Sequence, residues 1–210
     1  MKKIAIFVSG EGSNFKVIYE KIKSGDIHAE ISLVVSNNPN CGAINFAVKN
    51  TLPTFIINKA QYPNLDTRNR ILKHNLLKAD VNLLCLAGYI KMIPGNIVAH
   101  FENCILNIHP ALLPDFGGKG FFGMKVHEAV IQSNATVSGA TVHFVDDKYD
   151  HGLILAQEKI TIKVDETANS LAKKVLAIEH RIYPKVVKAF CENRIVWDNK
   201  QPKIEVAIEN

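Results

Sequence analysis

Lys3-Ile4-Ala5-Ile6-Phe7-Val8, followed by Ser9-Gly10-Glu11-Gly12-Ser13 and then by Asn14-Phe15-Lys16-Val17-Ile18-Tyr19-Glu20-Lys21-Ile22-Lys23, is the stretch that sets the fold. Its first part is an unbroken apolar run of strand length, the mark of a strand buried on both faces. Its last part spaces apolar residues three or four apart, as an amphipathic helix does. A glycine turn joins them, and strand, turn and helix in that order open a βαβ unit.

The alternation continues along the chain. Residues 31–36, 54–57, 81–87 and 105–108 read as further buried strands, and residues 42–49, 67–78 and 95–101 as crossover helices, so a parallel sheet is expected. Past residue 134 the pattern changes: 136–145 and 153–164 are rich in β-branched residues and predict two more strands. A long helix is expected over 168–193, with Pro184 kinking or dividing it, and a short hairpin over 194–206. The fold class is therefore α/β, a Rossmann-like, mostly parallel twisted sheet of about seven strands flanked by helices. With no internal repeat, low-complexity tract or Pro/Ser-rich linker, a single domain over 1–210 is the economical organisation.

Composition narrows the class. Of 210 residues, 47% are hydrophobic and 21% charged, which excludes disordered and collagen-like chains. The opening apolar run stops at Ser9, too short for a signal-peptide core or a membrane span, and a cytoplasmic protein is expected. Cys41, Cys85, Cys104 and Cys191 are far apart, so reduced, buried thiols are expected in place of a zinc or redox pair. The net charge of +5 is scattered, without the basic and aromatic interleaving of a nucleic-acid surface. A small anionic substrate suits it better than nucleic acid, although charge alone favours a surface that simply keeps the protein dissolved.

Three segments carry candidate chemistry. The loop from Ser9 to Asn14 lies between strand and helix, where backbone N–H groups and the helix dipole hold anions. Phe15 stands where a dinucleotide fingerprint needs its third glycine, and no Gly-Lys-Ser/Thr follows, so neither a nicotinamide site nor a P-loop is expected. A tight turn with Ser13 or Asn14 capping the helix is an equal alternative. In Asn107-Ile108-His109-Pro110, the two-residue period of a strand points Asn107 and His109 to one side. An amide donor beside an imidazole can stabilise an oxyanion and move a proton, the two needs of acyl transfer, whereas a lone strand-end His is more often structural. In Asp146-Asp147-Lys148-Tyr149-Asp150 the spacing matches a magnesium pattern normally found inside helices; here a strand precedes it, so a carboxylate that orients His109 and raises its pKa, or a solvated turn, fits better. The glycine-rich segment from Phe116 to Gly123 reads as a mobile cover or as an ordinary surface loop.

Taken together, Ser9-Gly10-Glu11-Gly12-Ser13-Asn14, Leu86-Ala87-Gly88-Tyr89, the run from Asn107 to Pro114, Gly139 to Phe144 and Glu179 to Pro184 resemble the folate-dependent phosphoribosylglycinamide formyltransferases, in order and over nearly the whole chain. Asn-Ile-His-Pro with the later Asp marks the wider formyltransferase superfamily; the glycine loop marks this branch. The resemblance implies the formyltransferase fold, with a phosphate-binding half over 1–100 and a catalytic, folate-binding half over 101–210. It implies formyl transfer from 10-formyltetrahydrofolate, as co-substrate, to the amine of glycinamide ribonucleotide in de novo purine synthesis, with no metal, no nucleic-acid or membrane partner, and a monomer or homodimer.

Residue by residue, it implies that Gly12, Ser13 and Asn14 bind the substrate phosphate and Glu179 the ribose side. Folate would lie along Ile90, Lys91, Met92 and Ile93 and against Asn107, Asp146, Asp147 and Asp150. Asn107, His109 and Asp150 would be catalytic, with Asn107 and protonated His109 donating to the oxyanion, Asp150 raising the His109 pKa and His143 supporting them from behind. Lys91 stands where Arg is frequent, Leu176 where a polar contact is frequent and Leu65 where an Arg occurs in some relatives; residues 117–128 depart from the Pro-Gly-Leu-His-Thr-His version, and no contact is assigned to them. A deformylase would carry a regulatory domain before the first strand, and formyltransferases acting on Met-tRNA or nucleotide sugars a sizeable domain after the last; neither is expected here. A phosphate sensor would use the glycine loop but would have no need of an oxyanion donor.

Overall fold

A computed structural model describes residues 1–205 and divides the chain into two compact units with the boundary between Leu106 and Asn107. The first unit begins with β1 (Lys2–Val8) and α1 (Ser13–Lys23), then β2 (Ala29–Ser36), α2 (Gly42–Lys49), β3 (Thr54–Ile56), α3 (Leu65–Lys78), β4 (Leu83–Leu86) and α4 (Gly95–Val98). β1 pairs in parallel with both β2 and β4, and β2 in parallel with β3. Ile4 to Val8 are wholly buried, which is why this strand reads as an unbroken apolar run. Removing each of the larger side chains, Ile4, Ile6, Phe7 and Val8, from water is worth about 1.5–3 kcal/mol. Because β1 sits between β2 and β4, the chain order reverses beside it, and the loops after β1 and β4 flank the switch point where open α/β sheets bind ligands.

The strand β5 (Ile105–His109) straddles the boundary, and the second unit continues with α5 (Met124–Gln132), β6 (Val137–Phe144), β7 (Ile154–Thr161), α6 (Ala168–Cys191), β8 (Ile195–Asp198) and β9 (Gln201–Ile204). The strand order β3-β2-β1-β4-β5-β6-β7 gives the expected seven-stranded, mostly parallel sheet, with β7 antiparallel to β6. The α6 helix lays Leu171, Val175, Ile178, Ile182 and Val186 along one buried stripe, spaced three or four apart. Pro184 does not divide this helix. Proline withholds the N–H that would reach the His180 carbonyl, but Tyr183, Pro184, Val186 and Val187 are all buried, and that packing carries the helix through.

Met124–Gln132 forms a helix the sequence reading does not anticipate. The tail forms the expected hairpin, closed by Asn199 and Lys200, both with positive φ as a tight two-residue hairpin turn requires; Trp197 stacks on Phe144 at 5.7 Å. The last residue of the expected hairpin range, Val206, lies outside the described residues.

Candidate active site

In the first unit, the turn after β1 delivers Gly12 at the N-cap of α1 with φ +68, and a Cβ there would stand 2.6 Å from that of Ala43. Conformation and packing both demand glycine. Neither Ser13 nor Asn14 caps the helix, since Ser13 is its first residue and no side-chain cap bond is made. The capping alternative therefore fails, and a helix start with this geometry suits an anion. Ser9 ties the loop to its neighbours: its hydroxyl donates to Asn37 Oδ1 at 2.5 Å and accepts from Ile90 N–H at 3.1 Å. The segment after β4 is thereby fastened to the glycine loop. Along it Ile90, Lys91 and Met92 are exposed and Ile93 is buried.

In the second unit, Asn107 and His109 do share one face of β5, because both reach the same carboxylate. Asn107 Nδ2 donates to Asp150 Oδ1 at 3.3 Å, and His109 Nδ1 lies 3.6 Å from that oxygen. The amide orientation follows from chemistry, since an amide oxygen facing a carboxylate would be repelled. The other Asn107 proton goes to His143 Nε2 at 3.1 Å, which can accept because His143 Nδ1 donates to the Phe144 carbonyl at 2.6 Å. His143 thus supports Asn107 directly.

Asp150 has φ +51 and its second oxygen accepts Gly118 N–H at 2.9 Å. Gly117 lets the loop approach, for a Cβ there would come within 2.5 Å of Leu113 and 3.2 Å of Asp150 Cβ. His109 Nε2 meets the Phe116 carbonyl at 2.8 Å; a carbonyl only accepts, so that nitrogen carries the proton.

These contacts set the charges. Burial pushes the His109 pKa down most strongly; Asp150 and the Phe116 carbonyl push it up, His143 pushes it down, and the net result is below the ordinary histidine value. Asp150 acts in the expected direction, but burial outweighs it, so the ring holds a second proton less readily than an ordinary histidine. For Asp150 burial raises the pKa, yet the His143 and His109 rings and the Gly118 N–H together hold it below the usual carboxylate value.

Asp146 turns elsewhere, accepting from Lys148 N–H at 2.9 Å and pairing with His151 Nδ1 at 2.6 Å. Burial raises its pKa, but those two partners more than offset that. Asp147 is exposed, and Glu179 is buried on α6. Asp146 and Asp150 thus serve different partners, and among the described residues no three His, Cys, Asp or Glu side chains are placed to hold a metal. The sequence reading misses the Phe116 carbonyl and the Gly118 N–H, because backbone atoms carry no residue identity. It also misses His127 on α5, buried, with Nδ1 lacking a hydrogen-bond partner and a pKa lowered by burial and by His109.

An open, mostly parallel α/β sheet that gathers an amide, two imidazoles and a carboxylate at the end of one strand defines a protein equipped to handle protons beside a polarised group. The family model for formyl transferases matches residues 2–187, and the chain belongs to that family. It is 47% identical over 196 residues to the chloroplastic phosphoribosylglycinamide formyltransferase of Vigna unguiculata, covering 93% of this chain and 63% of that protein. The Arabidopsis thaliana counterpart is 46% identical, over 93% of this chain and 68% of the relative. The chain thus spans about two thirds of the length of these plant relatives. Among solved structures, glycinamide ribonucleotide transformylase 1 from Symbiobacterium toebii superposes with a TM-score of 0.89 at 31% identity, covering 97% of this chain and 94% of that one.

Proposed function

We propose that this chain transfers the formyl group of 10-formyltetrahydrofolate to the amine of glycinamide ribonucleotide, giving formylglycinamide ribonucleotide and tetrahydrofolate, a step of de novo purine synthesis. The observation that carries the reading is the meeting of Asn107 and His109 on Asp150, in a chain of the formyl transferase family with these relatives.

The roles follow the site chemistry. The phosphate-binding half, 1–100, supplies Gly12, Ser13 and Asn14 for the phosphate. The catalytic half, 101–210, supplies Glu179 for the ribose side, with Asn107, His109 and Asp150 for the reaction. The exposed, largely apolar run Ile90, Lys91, Met92, with Ile93 behind it, fits a flat heterocycle with an anionic tail; Asn107, Asp146, Asp147 and Asp150 complete the folate contacts. 10-Formyltetrahydrofolate supplies the electrophilic carbonyl carbon.

Neutral His109 takes a proton from the amine as its nitrogen bonds to that carbon. Asp150 stabilises the imidazolium so formed. Asn107 donates to the oxygen that gains charge, and His109 returns the proton to the folate nitrogen as its bond to carbon breaks. The protein works in the cytoplasm as a monomer or homodimer, without nucleic-acid or membrane partners. No helix among the described residues is long and apolar enough to cross a membrane.

The test is to incubate the protein with 10-formyltetrahydrofolate, with and without glycinamide ribonucleotide, following tetrahydrofolate and formate separately. Tetrahydrofolate release that depends on the amine, with no formate, is expected. Formate released without the amine would mean a hydrolase instead.

A further inference from the structure

Seven residues beyond His109 the chain places the Phe116 carbonyl on that residue's own Nε2. Phe116 has φ +55, a conformation a bulky residue seldom adopts, so the turn before it must be held firmly. Two side chains opposite one another on β6 and β7, Thr141 and Gln157, do the holding.

The wholly buried Thr141 hydroxyl donates to the Ala111 carbonyl at 2.6 Å and accepts from Leu113 N–H at 3.1 Å and from Gln157 Nε2 at 2.9 Å. One donor and two acceptor sites are all a hydroxyl has, and each is used. Gln157 gives its other amide proton to the Leu113 carbonyl at 2.8 Å. Both backbone groups of Leu113 and the carbonyl of Ala111 are thus fixed by side chains, inside the turn that links His109 to Phe116.

We propose that Thr141 and Gln157 are positioning residues for His109, a clamp on the turn from Ala111 to Leu113 that keeps the Phe116 carbonyl on the imidazole and so fixes which ring nitrogen carries the proton. The clamp shares a strand face with His143, which holds Asn107 two residues further along β6, so one face of β6 orients both members of the pair. That the oriented imidazole serves formyl transfer rests on the function proposed above; that it is oriented does not.

The experiment therefore reads orientation and turnover separately. Histidine side-chain ¹⁵N NMR on the full chain reports the tautomer and titration of His109, whose ring also faces Asp150, His143 and His127. In Thr141→Val the Nε2-protonated signature weakens and the titration moves to lower pH, because the carbonyl that favours the charged ring has left. Turnover falls about 10- to 100-fold with KM for both substrates within about threefold, as expected of small misplacement of a reacting group. Thr141→Ser keeps the hydroxyl and returns the tautomer, the titration and turnover to wild-type values. Gln157→Leu, at an exposed position, gives a smaller loss of about three- to tenfold in the same direction.

A Thr141→Val protein with an unchanged His109 tautomer and titration would overturn the clamp, whatever its turnover. So would a Thr141→Ser protein that behaves like Thr141→Val. If Thr141→Val does not fold, the serine and Gln157 variants decide by the same signals. A wild-type protein without transfer activity would remove the functional reading and leave the tautomer and titration results standing.

Discussion

Replacing Asp150 by Asn takes away a charge and keeps the shape. At the observed 3.6 Å between Asp150 Oδ1 and His109 Nδ1, a full charge pair in an effective dielectric of about 20 is worth roughly 4–5 kcal/mol. Not all of this is lost, because the amide oxygen of the variant still accepts one hydrogen bond and polarises toward the ring. Keeping about half leaves a loss of roughly 2–3 kcal/mol, or about 30- to 150-fold in turnover. The loss falls on kcat, since Asp150 acts most strongly once His109 has taken its proton, and KM changes little. Burial already depresses the His109 pKa and Asp150 opposes it, so removing the charge depresses it further. The acid limb of kcat/KM, which requires the neutral ring, therefore shifts to lower pH. Steady-state kinetics between about pH 5 and 8, the range in which histidine titrates, with an NMR titration of His109, measure both effects. Turnover within about threefold of wild type, or an acid limb that stays put or moves upward, would mean that Asp150 does not stabilise the charged ring.

Asn107→Ala is expected to lower turnover by about 10² to 10³ and His109→Ala by about 10² to 10⁴, each losing turnover more than substrate affinity, measurable by steady-state kinetics and equilibrium binding. A double-mutant cycle of Asn107→Ala and Asp150→Asn should be non-additive by about 0.5–3 kcal/mol, because the two groups share a hydrogen bond. Gly12→Ala places a Cβ against Ala43 at φ +68, and urea denaturation should show a loss of about 1–3 kcal/mol, with raised KM for the phosphorylated substrate only. Acid should destabilise the fold from two sources of one sign. Asp146 and Asp150 titrate below their ordinary values, so their contribution is full above the unfolded carboxylate range and is lost as pH falls through the folded values. His109, His127 and His180 are held below the ordinary histidine value, chiefly by burial, so below about pH 6.5 the unfolded chain takes up protons the folded one refuses. Urea midpoints should thus fall between about pH 7 and 5 through the histidines and again below about pH 4 through the carboxylates, and a flat profile in either window would contradict the shift that acts there.

The strands were legible where both faces are buried, since β1 and β4 have no polar alternation to confuse with a loop. The α5 helix was not, because its nine residues bury only Val126, His127 and Val130 and follow a glycine-rich loop, too brief a period to stand out. Sharing of one face by Asn107 and His109 follows from strand geometry alone, and the structure bears it out through their common contact with Asp150. The protonation of His109 did not follow, because it depends on how deeply the ring is buried and on a carbonyl seven residues away, and neither quantity is written in residue types. Leu65 and Lys91 are both exposed, and nothing in their surroundings shows what replaces the contacts an arginine would make.

The engaged state of Asn107 ties the two halves of the chemistry together. Both its amide protons already have protein acceptors, at 3.1 Å to His143 and at 3.3 Å to Asp150, the latter long for an N–H···O bond. In the proposed reaction an oxygen gaining charge takes one of them, and the proton bound to Asp150 is the easier to release. On that proposal His109 becomes positive at the same moment and draws the same carboxylate, 3.6 Å away, toward itself. Asp150 therefore exchanges a neutral donor for a charged one as Asn107 exchanges a carboxylate for the developing oxyanion. Each exchange makes the other easier. The cost of separating charge in a buried site is spread over a shift of two hydrogen bonds, while His143 and the Gly118 N–H keep Asn107 and Asp150 from drifting apart.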